Sequence, residues 1–180
     1  MIPYWMSRTQ LLLGDEPLQA LMNKHVLVVG LGGVGGICAE MIVRSGVGKI
    51  TIVDADTVDL SNANRQIPAL HSTAGKLKSE VMAERLKDIN PQLEIIVKSI
   101  YIKEELTQAL LDEAHYDYAV DCIDTLSPKV FFIKGCLDRN IPIVSSLGAG
   151  GKLDPSQVVI TDISKTYQCN LAKKKKKKLH

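Results

Sequence analysis

The sequence lacks three features that would place it in familiar classes of protein. Its four cysteines, at positions 38, 122, 136 and 169, form no C-x-x-C pair, so neither a zinc site nor a redox motif is indicated. No stretch reaches the ~20 consecutive apolar residues of a membrane-spanning helix. The first five residues, Met1 to Trp5, lack the charged and apolar regions of a secretory signal peptide. We therefore expect a cytoplasmic protein in which cysteines 38, 122 and 136 are buried as small apolar side chains.

The composition is that of a globular protein with a separate basic tail. The chain has 180 residues, of which 46% are hydrophobic and 23% charged, enough for one domain without disulfides. The net charge is +2, but residues 173–178 are six consecutive lysines, and removing these six charges leaves −4. We therefore divide the chain into an N-terminal segment and helix (1–24), a main domain (25–168) and a Lys-rich tail (169–180) that we expect to be disordered.

A glycine-rich turn is the strongest signal in the main domain. Residues 30–35 read Gly-Leu-Gly-Gly-Val-Gly and directly follow the apolar run 26–29, while residues 37–43 have the pattern of a helix. A strand that ends in such a turn brings backbone N–H groups and the positive end of a helix dipole close to a phosphate. The pattern predicts nucleotide binding, and by itself it leaves both a dinucleotide and ATP open.

The residues after the next predicted strand favour ATP. Asp54 ends the apolar run 49–53, where a carboxylate accepts hydrogen bonds from ribose hydroxyls. Asn62, Arg65 and Lys78 then follow in a polar stretch and at the next helix. A triphosphate carries more negative charge than the pyrophosphate of NAD, and an Arg fork and a Lys ammonium neutralise that charge. A nicotinamide oxidoreductase is the less favoured interpretation.

A magnesium ligand is expected at the same edge of the sheet. Asp121 and Asp124 follow another apolar run, 118–120, and ligands of open α/β folds bind where such strands end. Magnesium is typically held by one or two carboxylates together with phosphate oxygens.

Strand and helix patterns alternate along the main domain. The predicted strands are 26–29, 49–53, 93–98, 117–121, 142–146 and 158–160, and the predicted helices are 7–24, about 35–45, 75–89, 103–113 and 127–138. In the first helix we expect an apolar face of Leu11, Leu12, Leu18, Leu21 and Met22. Alternating units of this kind predict an α/β fold, Rossmann-like and doubly wound, with a mostly parallel sheet and helices on both faces.

These motifs, in this order, resemble the adenylating domain of the ubiquitin-activating superfamily over residues 7–168. Within it, the branch of tRNA threonylcarbamoyladenosine dehydratases is the most similar. Three segments carry that similarity, namely residues 64–70 (NRQIPAL), 79–86 (SEVMAERL) and 148–155 (GAGGKLDP). Members of this branch normally continue well past residue 180, so the resemblance implies a chain truncated at its C-terminus and a membrane association confined to longer members.

The resemblance assigns a role to each motif residue. It implies a nucleotide cradle of Gly30, Gly32, Gly33 and Gly35, a ribose ligand in Asp54, phosphate ligands in Asn62, Asn64, Arg65 and Lys78, a magnesium ligand in Asp124 with Asp56 as a helper, and a catalytic Arg8. Arg8 would enter the site of a neighbouring subunit, which implies a homodimer. ATP and Mg²⁺ would be the cofactors, tRNA rather than DNA the substrate, and a cysteine desulfurase system a partner.

The reaction implied is the activation of the threonylcarbamoyl carboxylate as an acyl-adenylate, followed by closure to a cyclic hydantoin. Ring closure within one molecule needs no protein nucleophile. One alternative is an adenylyltransferase acting on a ubiquitin-like sulfur carrier, and another is an inactive nucleotide-binding fragment. Cys169 has no neighbouring base that would make it a thioester nucleophile, and we expect His25 and His71 to be structural or exposed.

Overall fold

The fold is built on one parallel sheet. The computed structural model describes residues 2–167 and residue 169. Its five strands are β1 (His25–Val29), β2 (Lys49–Val53), β3 (Glu94–Lys98), β4 (Tyr118–Asp121) and β5 (Ile143–Ser145). They are arranged in the order β3-β2-β1-β4-β5, and every pair is parallel. The order reverses at β1, so the crevice between β1 and β4 lies at the switch point where ligands of such sheets bind.

Helices cover both faces of the sheet. They are α1 (Ser7–Leu13), α2 (Asp15–Met22), α3 (Gly35–Arg44), α4 (Lys78–Ile89), α5 (Glu104–Asp112) and α6 (Leu126–Asp138). Apolar residues of α3 and α4 pack on one face of β1 and β2, and those of α5 and α6 pack on the other face. All five residues of β1 are buried, as expected of a central strand between two helical layers. The Rossmann-like, doubly wound architecture is therefore confirmed.

The N-terminal segment differs from the prediction. The expected single helix is two short helices separated by Gly14, whose φ of 82° interrupts the helical backbone. Leu18 of α2 is fully buried, whereas Leu11 and Leu12 of α1 are 79% and 82% exposed. The predicted common apolar face is therefore wrong for α1, because the break at Gly14 allows only α2 to lie against the domain.

The predicted strand at 158–160 is also wrong. These residues have no strand conformation, and the side chains of Val158 and Ile160 are 78% and 96% exposed. A strand requires a neighbour that accepts and donates its backbone hydrogen bonds, and within residues 2–167 no strand pairs with this segment. The apolar triplet alone does not supply that neighbour.

The remaining boundaries agree to within a few residues. Helix α4 begins at Lys78 rather than 75, because Leu77 forms an isolated antiparallel bridge with Thr57. The polar stretch 55–74 contains two single 3₁₀ turns, Leu60–Asn62 and His71–Thr73. No helix in the described part of the chain is both long and apolar enough to cross a bilayer. Apart from Cys169, the Lys-rich tail lies outside the described residues.

Candidate functional site

The glycine-rich loop connects β1 to α3 at the carboxyl edge of the sheet. Two of its glycines are required by packing. A Cβ at Gly35 would lie 1.7 Å from the carbonyl oxygen of Gly30, and a Cβ at Gly30 would lie 2.8 Å from the carbonyl oxygen of Cys122. Gly30 also has a φ of 90°, which L-residues with side chains rarely adopt. These two glycines allow the chain to turn tightly before α3.

The other two glycines, Gly32 and Gly33, are packed less tightly, since a Cβ on either would meet no atom closer than 3.4 Å. The backbone N–H groups of Gly32, Gly33 and Val34 donate to no acceptor among the described residues. They precede α3, a ten-residue helix, and so add to the positive potential at its start. N–H groups of this kind are the usual donors to phosphate oxygens. The loop therefore offers a site for an anion rather than only a turn.

Asp54 fixes the loop to the end of β2. Its Oδ2 accepts a hydrogen bond of 2.7 Å from the N–H of Leu31, and its Oδ1 accepts one of 2.8 Å from the N–H of Asp56. Burial raises the pKa of the Asp54 carboxyl above its ordinary value, and the two backbone donors and Lys78 oppose that rise. Each carboxylate oxygen keeps a second lone pair, so Asp54 both positions the loop and remains able to accept a ribose hydroxyl.

Arg65 is held in place by neutral groups. Its Nη2 donates to Oδ1 of Asn62 at 3.0 Å, and its Nη1 donates to Oδ1 of Asn64 at 2.9 Å and to the carbonyl oxygen of Ser61 at 3.3 Å. Oδ1 of Asn62 also accepts from Nε2 of Gln66 at 2.8 Å. The two asparagines predicted as phosphate ligands therefore orient the guanidinium.

The charge of Arg65 is uncompensated within the described residues. Each of Arg44, Arg85 and Arg139 forms an ion pair with a carboxylate, and Arg65 forms none. Arg65 also lies over the glycine-rich loop, because a Cβ at Gly33 would be 3.4 Å from its carbonyl oxygen and 3.6 Å from its Cγ. A fixed, unpaired guanidinium beside free backbone N–H groups is suited to bind a multiply charged anion.

Lys78 and Asp56 lie together at the same edge. Nζ of Lys78 donates to Oδ2 of Asp56 at 3.0 Å, and the backbone groups of the two residues are also hydrogen-bonded at 2.9 Å. Lys78 is 6% exposed, whereas Asp56 is exposed. The pairing holds the ammonium group beside Asp56, three residues after the end of β2. Asp56, predicted as a magnesium helper, is here the partner of the lysine.

The two aspartates after β4 have different environments. Asp121 and Lys129 are fully buried and form an ion pair of 2.7 Å between Oδ2 and Nζ. Oδ2 of Asp121 also accepts from Oγ of Ser145 at 2.6 Å. Asp124 is exposed, and its carboxylate has no hydrogen bond or ion pair with any described residue. Among the described residues, the Asp124 carboxylate is therefore available to a ligand, whereas that of Asp121 is engaged within the fold.

Lys129 was not anticipated from the sequence. Its Nζ also donates to the carbonyl oxygen of Ile123 at 2.7 Å, while Asp121 accepts from the N–H of Ile123 at 3.0 Å. The pair thus holds both the N–H and the carbonyl group of Ile123, the residue before Asp124. The sequence shows only that one lysine interrupts the otherwise apolar residues 128–133 of α6. Because lysine is rarely buried, such a residue is normally expected to be exposed.

Arg8 is not brought to this site within one chain. Met6 and Leu18 pack against Gly46, which lies between the end of α3 and the start of β2. That position is at the amino-terminal edge of the sheet, opposite the glycine-rich loop. A cavity of about 150 Å³ lined by Trp5 and Asn90 lies at the same edge and contains none of the predicted site residues.

The arrangement at the carboxyl edge is that of a nucleotide-binding α/β protein. Comparison of the sequence with known proteins identifies its family. Residues 6–180 match the ThiF family, so the chain belongs to that family. The chain is 45% identical over 173 residues to the tRNA threonylcarbamoyladenosine dehydratase of Bacillus subtilis, a match that covers 96% of this chain and 68% of the relative. It is 33% identical over 153 residues to the molybdopterin-synthase adenylyltransferase of Escherichia coli, with 84% of this chain and 60% of the relative covered.

A solved structure of the first kind of enzyme has the same fold. The crystal structure of the E. coli tRNA N6-threonylcarbamoyladenosine dehydratase in complex with ATP matches with a TM-score of 0.93 at 41% identity, covering 97% of this chain and 71% of that one. A complex of the same enzyme with AMP matches with a TM-score of 0.93. The chain therefore spans about two thirds of the length of these dehydratases.

Proposed function

We propose that this chain binds ATP at the carboxyl edge of the sheet and uses it to activate a carboxylate as an acyl-adenylate. The observation that carries the proposal is the guanidinium of Arg65, which three neutral oxygens hold over the glycine-rich loop without a carboxylate partner. The similarity to dehydratases solved with ATP and with AMP supports the same nucleotide.

Each group has a role in nucleotide binding. The N–H groups of Gly32 and Gly33 would donate to phosphate oxygens, and Asp54 would accept from the ribose. Arg65 and Lys78 would bind the phosphates and stabilise the negative charge that develops as pyrophosphate leaves. Asn62 and Asn64 would act chiefly by keeping the Arg65 fork in its orientation.

Asp124 would hold Mg²⁺ together with phosphate oxygens and water. Its exposed carboxylate, free of any described partner, is consistent with this role, since magnesium typically takes only one or two protein carboxylates. When bound, the ion would supply positive charge that neutralises the phosphates. Lys129 and Asp121 would keep the segment carrying Asp124 in a single conformation.

We further propose that the carboxylate is the threonylcarbamoyl group of a modified tRNA adenosine. An oxygen of that carboxylate attacks the α-phosphorus of ATP, and pyrophosphate leaves. The carbamoyl nitrogen of the same group then attacks the activated carbonyl carbon and loses its proton, and AMP leaves with the former carboxylate oxygen. The net change in the nucleoside is the loss of one water. The proposal rests on the 45% identity to the B. subtilis dehydratase.

The direct test is incubation of the chain with modified tRNA, ATP and magnesium, followed by mass spectrometry of the nucleosides. We expect loss of one water from the modified adenosine. Retention of that water together with pyrophosphate exchange stimulated by a ubiquitin-like sulfur carrier would select the second candidate, an adenylyltransferase, which the 33% identity to the molybdopterin-synthase enzyme favours. Saturable ATP binding without either reaction would identify a nucleotide-binding fragment, and binding of NADH without ATP would select an oxidoreductase.

The role of Arg65 is tested by its replacement with alanine. Losing a charge-assisted contact should weaken ATP binding by ~1.5–3 kcal/mol, or roughly 10- to 150-fold in Kd. An Arg65→Lys variant keeps the charge but not the fork, and we expect an intermediate affinity. Lys76→Ala is the matched control, because Lys76 is exposed and its side chain has no described partner. Equal affinities in the parent and Arg65→Ala would refute the phosphate assignment.

We also propose a homodimer in which Arg8 completes the site of the partner. Arg8 is exposed and has no hydrogen bond or ion pair with the described residues. Nearby in the sequence, the apolar side chains of Tyr4, Leu11 and Leu12 are also exposed. Mixing Arg8→Ala and Arg65→Ala chains, at an ATP concentration at which neither is active alone, tests this directly. Random heterodimers would contain one intact site of two, so about a quarter of the parent activity should return. No recovery after subunit exchange would contradict a shared site.

We propose that the protein acts in the cytoplasm, where its tRNA substrate would be found. We also propose a cysteine desulfurase system as a partner, which co-purification of a desulfurase with the tagged chain from its own cells would test.

A further inference from the structure

Two of the four cysteines lie against each other behind the glycine-rich loop. Cys38 lies in the first turns of α3, and Cys122 directly follows β4. The two thiols lie close enough to interact, and Cys122 Cβ would be 3.0 Å from a Cβ at Gly35, three residues before Cys38 in α3. Both cysteines are partly buried and pack against the core on the α3 face of the sheet. The fold thus brings together two thiols that are far apart in sequence.

Cys122 is also in direct contact with the loop. A Cβ at Gly35 would lie 3.0 Å from Cβ of Cys122, and the carbonyl oxygen of Cys122 lies against Gly30. Because neither glycine has room for even one added carbon, movement of Cys122 or of the first turn of α3 would be transmitted to the loop. The two cysteines therefore lie in the two elements, α3 and the segment after β4, that pack against the glycine-rich loop.

The other cysteines are placed differently. Cys136 is fully buried in the core on the opposite face of the sheet, among residues of α5 and α6. Burial raises its pKa to about 12. By contrast, the interaction with the Cys122 thiol lowers the pKa of Cys38 to about 7. The thiolate is the nucleophilic form of cysteine, so Cys38 is the more reactive of these side chains near neutral pH.

We propose that Cys38 and Cys122 form an oxidisable thiol pair, which a peroxide converts to a disulfide, and that this disulfide weakens nucleotide binding at the glycine-rich loop. The inhibitory part of the proposal rests on the proposed binding of ATP. The formation of the disulfide does not.

The reaction balances with hydrogen peroxide as the oxidant. The Cys38 thiolate attacks one peroxide oxygen, the O–O bond breaks, and the departing hydroxide takes up a proton to become water. The sulfur of Cys122 then attacks the sulfenic acid sulfur of Cys38, and the S–O bond breaks. The departing hydroxide takes up the thiol proton to form a second water. The two thiols lose two electrons, which reduce the peroxide.

The expected effect on the loop follows from distances. A disulfide holds its sulfurs about 2 Å apart, closer than two unbonded thiols, so its formation would draw the first turn of α3 and the segment after β4 together. The backbone is already tightly packed there, because a Cβ at Gly30 or Gly35 would lie 2.8 Å or 1.7 Å from a carbonyl oxygen. The approach should therefore displace the backbone N–H groups that would bind phosphate. By linkage, bound ATP should disfavour disulfide formation to the same degree.

The first measurement is chemical. The full chain, fully reduced, is treated with hydrogen peroxide, blocked with iodoacetamide and digested without reductant for mass spectrometry. We expect a peptide pair joined through Cys38 and Cys122, formed more slowly when ATP is present. Cys136→Ser is the matched control and should form the same link. Separate sulfinic or sulfonic acids at the two cysteines, or links only to Cys169, would overturn the proposal.

The second measurement is functional. ATP affinity is titrated for the reduced, oxidised and dithiothreitol-treated chain, with Cys38→Ser and Cys122→Ser variants beside it. We expect oxidation to raise the Kd at least about tenfold in the parent, with recovery on reduction, and to leave both variants unchanged. A linked chain that binds ATP as the reduced chain does would refute the inhibition. Failure of the reduced chain to bind ATP would instead refute the proposed function, while the mass measurement still tests the pair.

Discussion

Replacing Lys129 with methionine should be among the most damaging single changes to this fold. Lys129 and Asp121 are both fully buried, and their side chains are 2.7 Å apart. Methionine preserves most of the apolar stem but removes the ammonium group. Among the described residues, Asp121 then keeps the donors from Ser145 and Ile123 alone, and the carbonyl oxygen of Ile123 loses its donor from Lys129.

The size of the effect follows from the cost of an unpaired buried charge. Removing one partner of a buried ion pair costs about 3–5 kcal/mol, whereas the whole free energy of unfolding of a domain is about 5–15 kcal/mol. The Lys129→Met chain should therefore lose about a fifth of its stability or more. Lys134→Met is the matched control, since Lys134 is an exposed lysine on the same helix, and its effect should stay within about 0.5 kcal/mol.

The assay is urea denaturation followed by circular dichroism at pH 7.5. A double variant, Lys129→Met with Asp121→Asn, removes both charges and should be more stable than Lys129→Met alone by about 2 kcal/mol or more. If Lys129→Met does not fold in buffer, folding of the double variant makes the same comparison. A Lys129→Met chain within about 1 kcal/mol of the parent, or a double variant that shows no coupling, would refute this account of the buried pair.

Two further predictions concern the glycine-rich loop and the opposite end of β1. Gly35→Ala places a Cβ 1.7 Å from the Gly30 carbonyl oxygen, so it should cost about 1–3 kcal/mol in urea denaturation and abolish measurable ATP binding. Gly150→Ala, where a Cβ meets nothing within 4 Å, is the control, and equal behaviour of the two variants would contradict the packing argument. Burial and the nearby Lys49 lower the pKa of His25, which is hydrogen-bonded to Thr51. Because the unfolded chain binds the proton more tightly, the free energy of unfolding should fall as pH drops below about 6.5. His25→Gln should flatten this dependence in denaturation curves at pH 7.5 and 5.5, and an unchanged slope would count against it.

The sequence by itself determined the order of the elements and the main features of the nucleotide loop. Alternating apolar runs and helical periodicity are local signals, and they located all five strands of the sheet. The glycine spacing after β1 and the acidic residue after β2 are also local, and the parallel topology then requires both to lie at one edge of the sheet. Patterns of this kind can be predicted because neighbours in the chain carry the information.

Tertiary structure alone decided the features that depend on distant partners. The triplet 158–160 has the composition of a strand, but strand formation requires a neighbouring backbone, and within the described residues it has none. Lys129 resembles an exposed helical lysine until Asp121 of another element is found beside it. The same is true of the contact between Cys38 and Cys122 and of the pairing of Lys78 with Asp56. The energy of a charge or a thiol depends on what surrounds it in space, and that environment is assembled only when the chain folds.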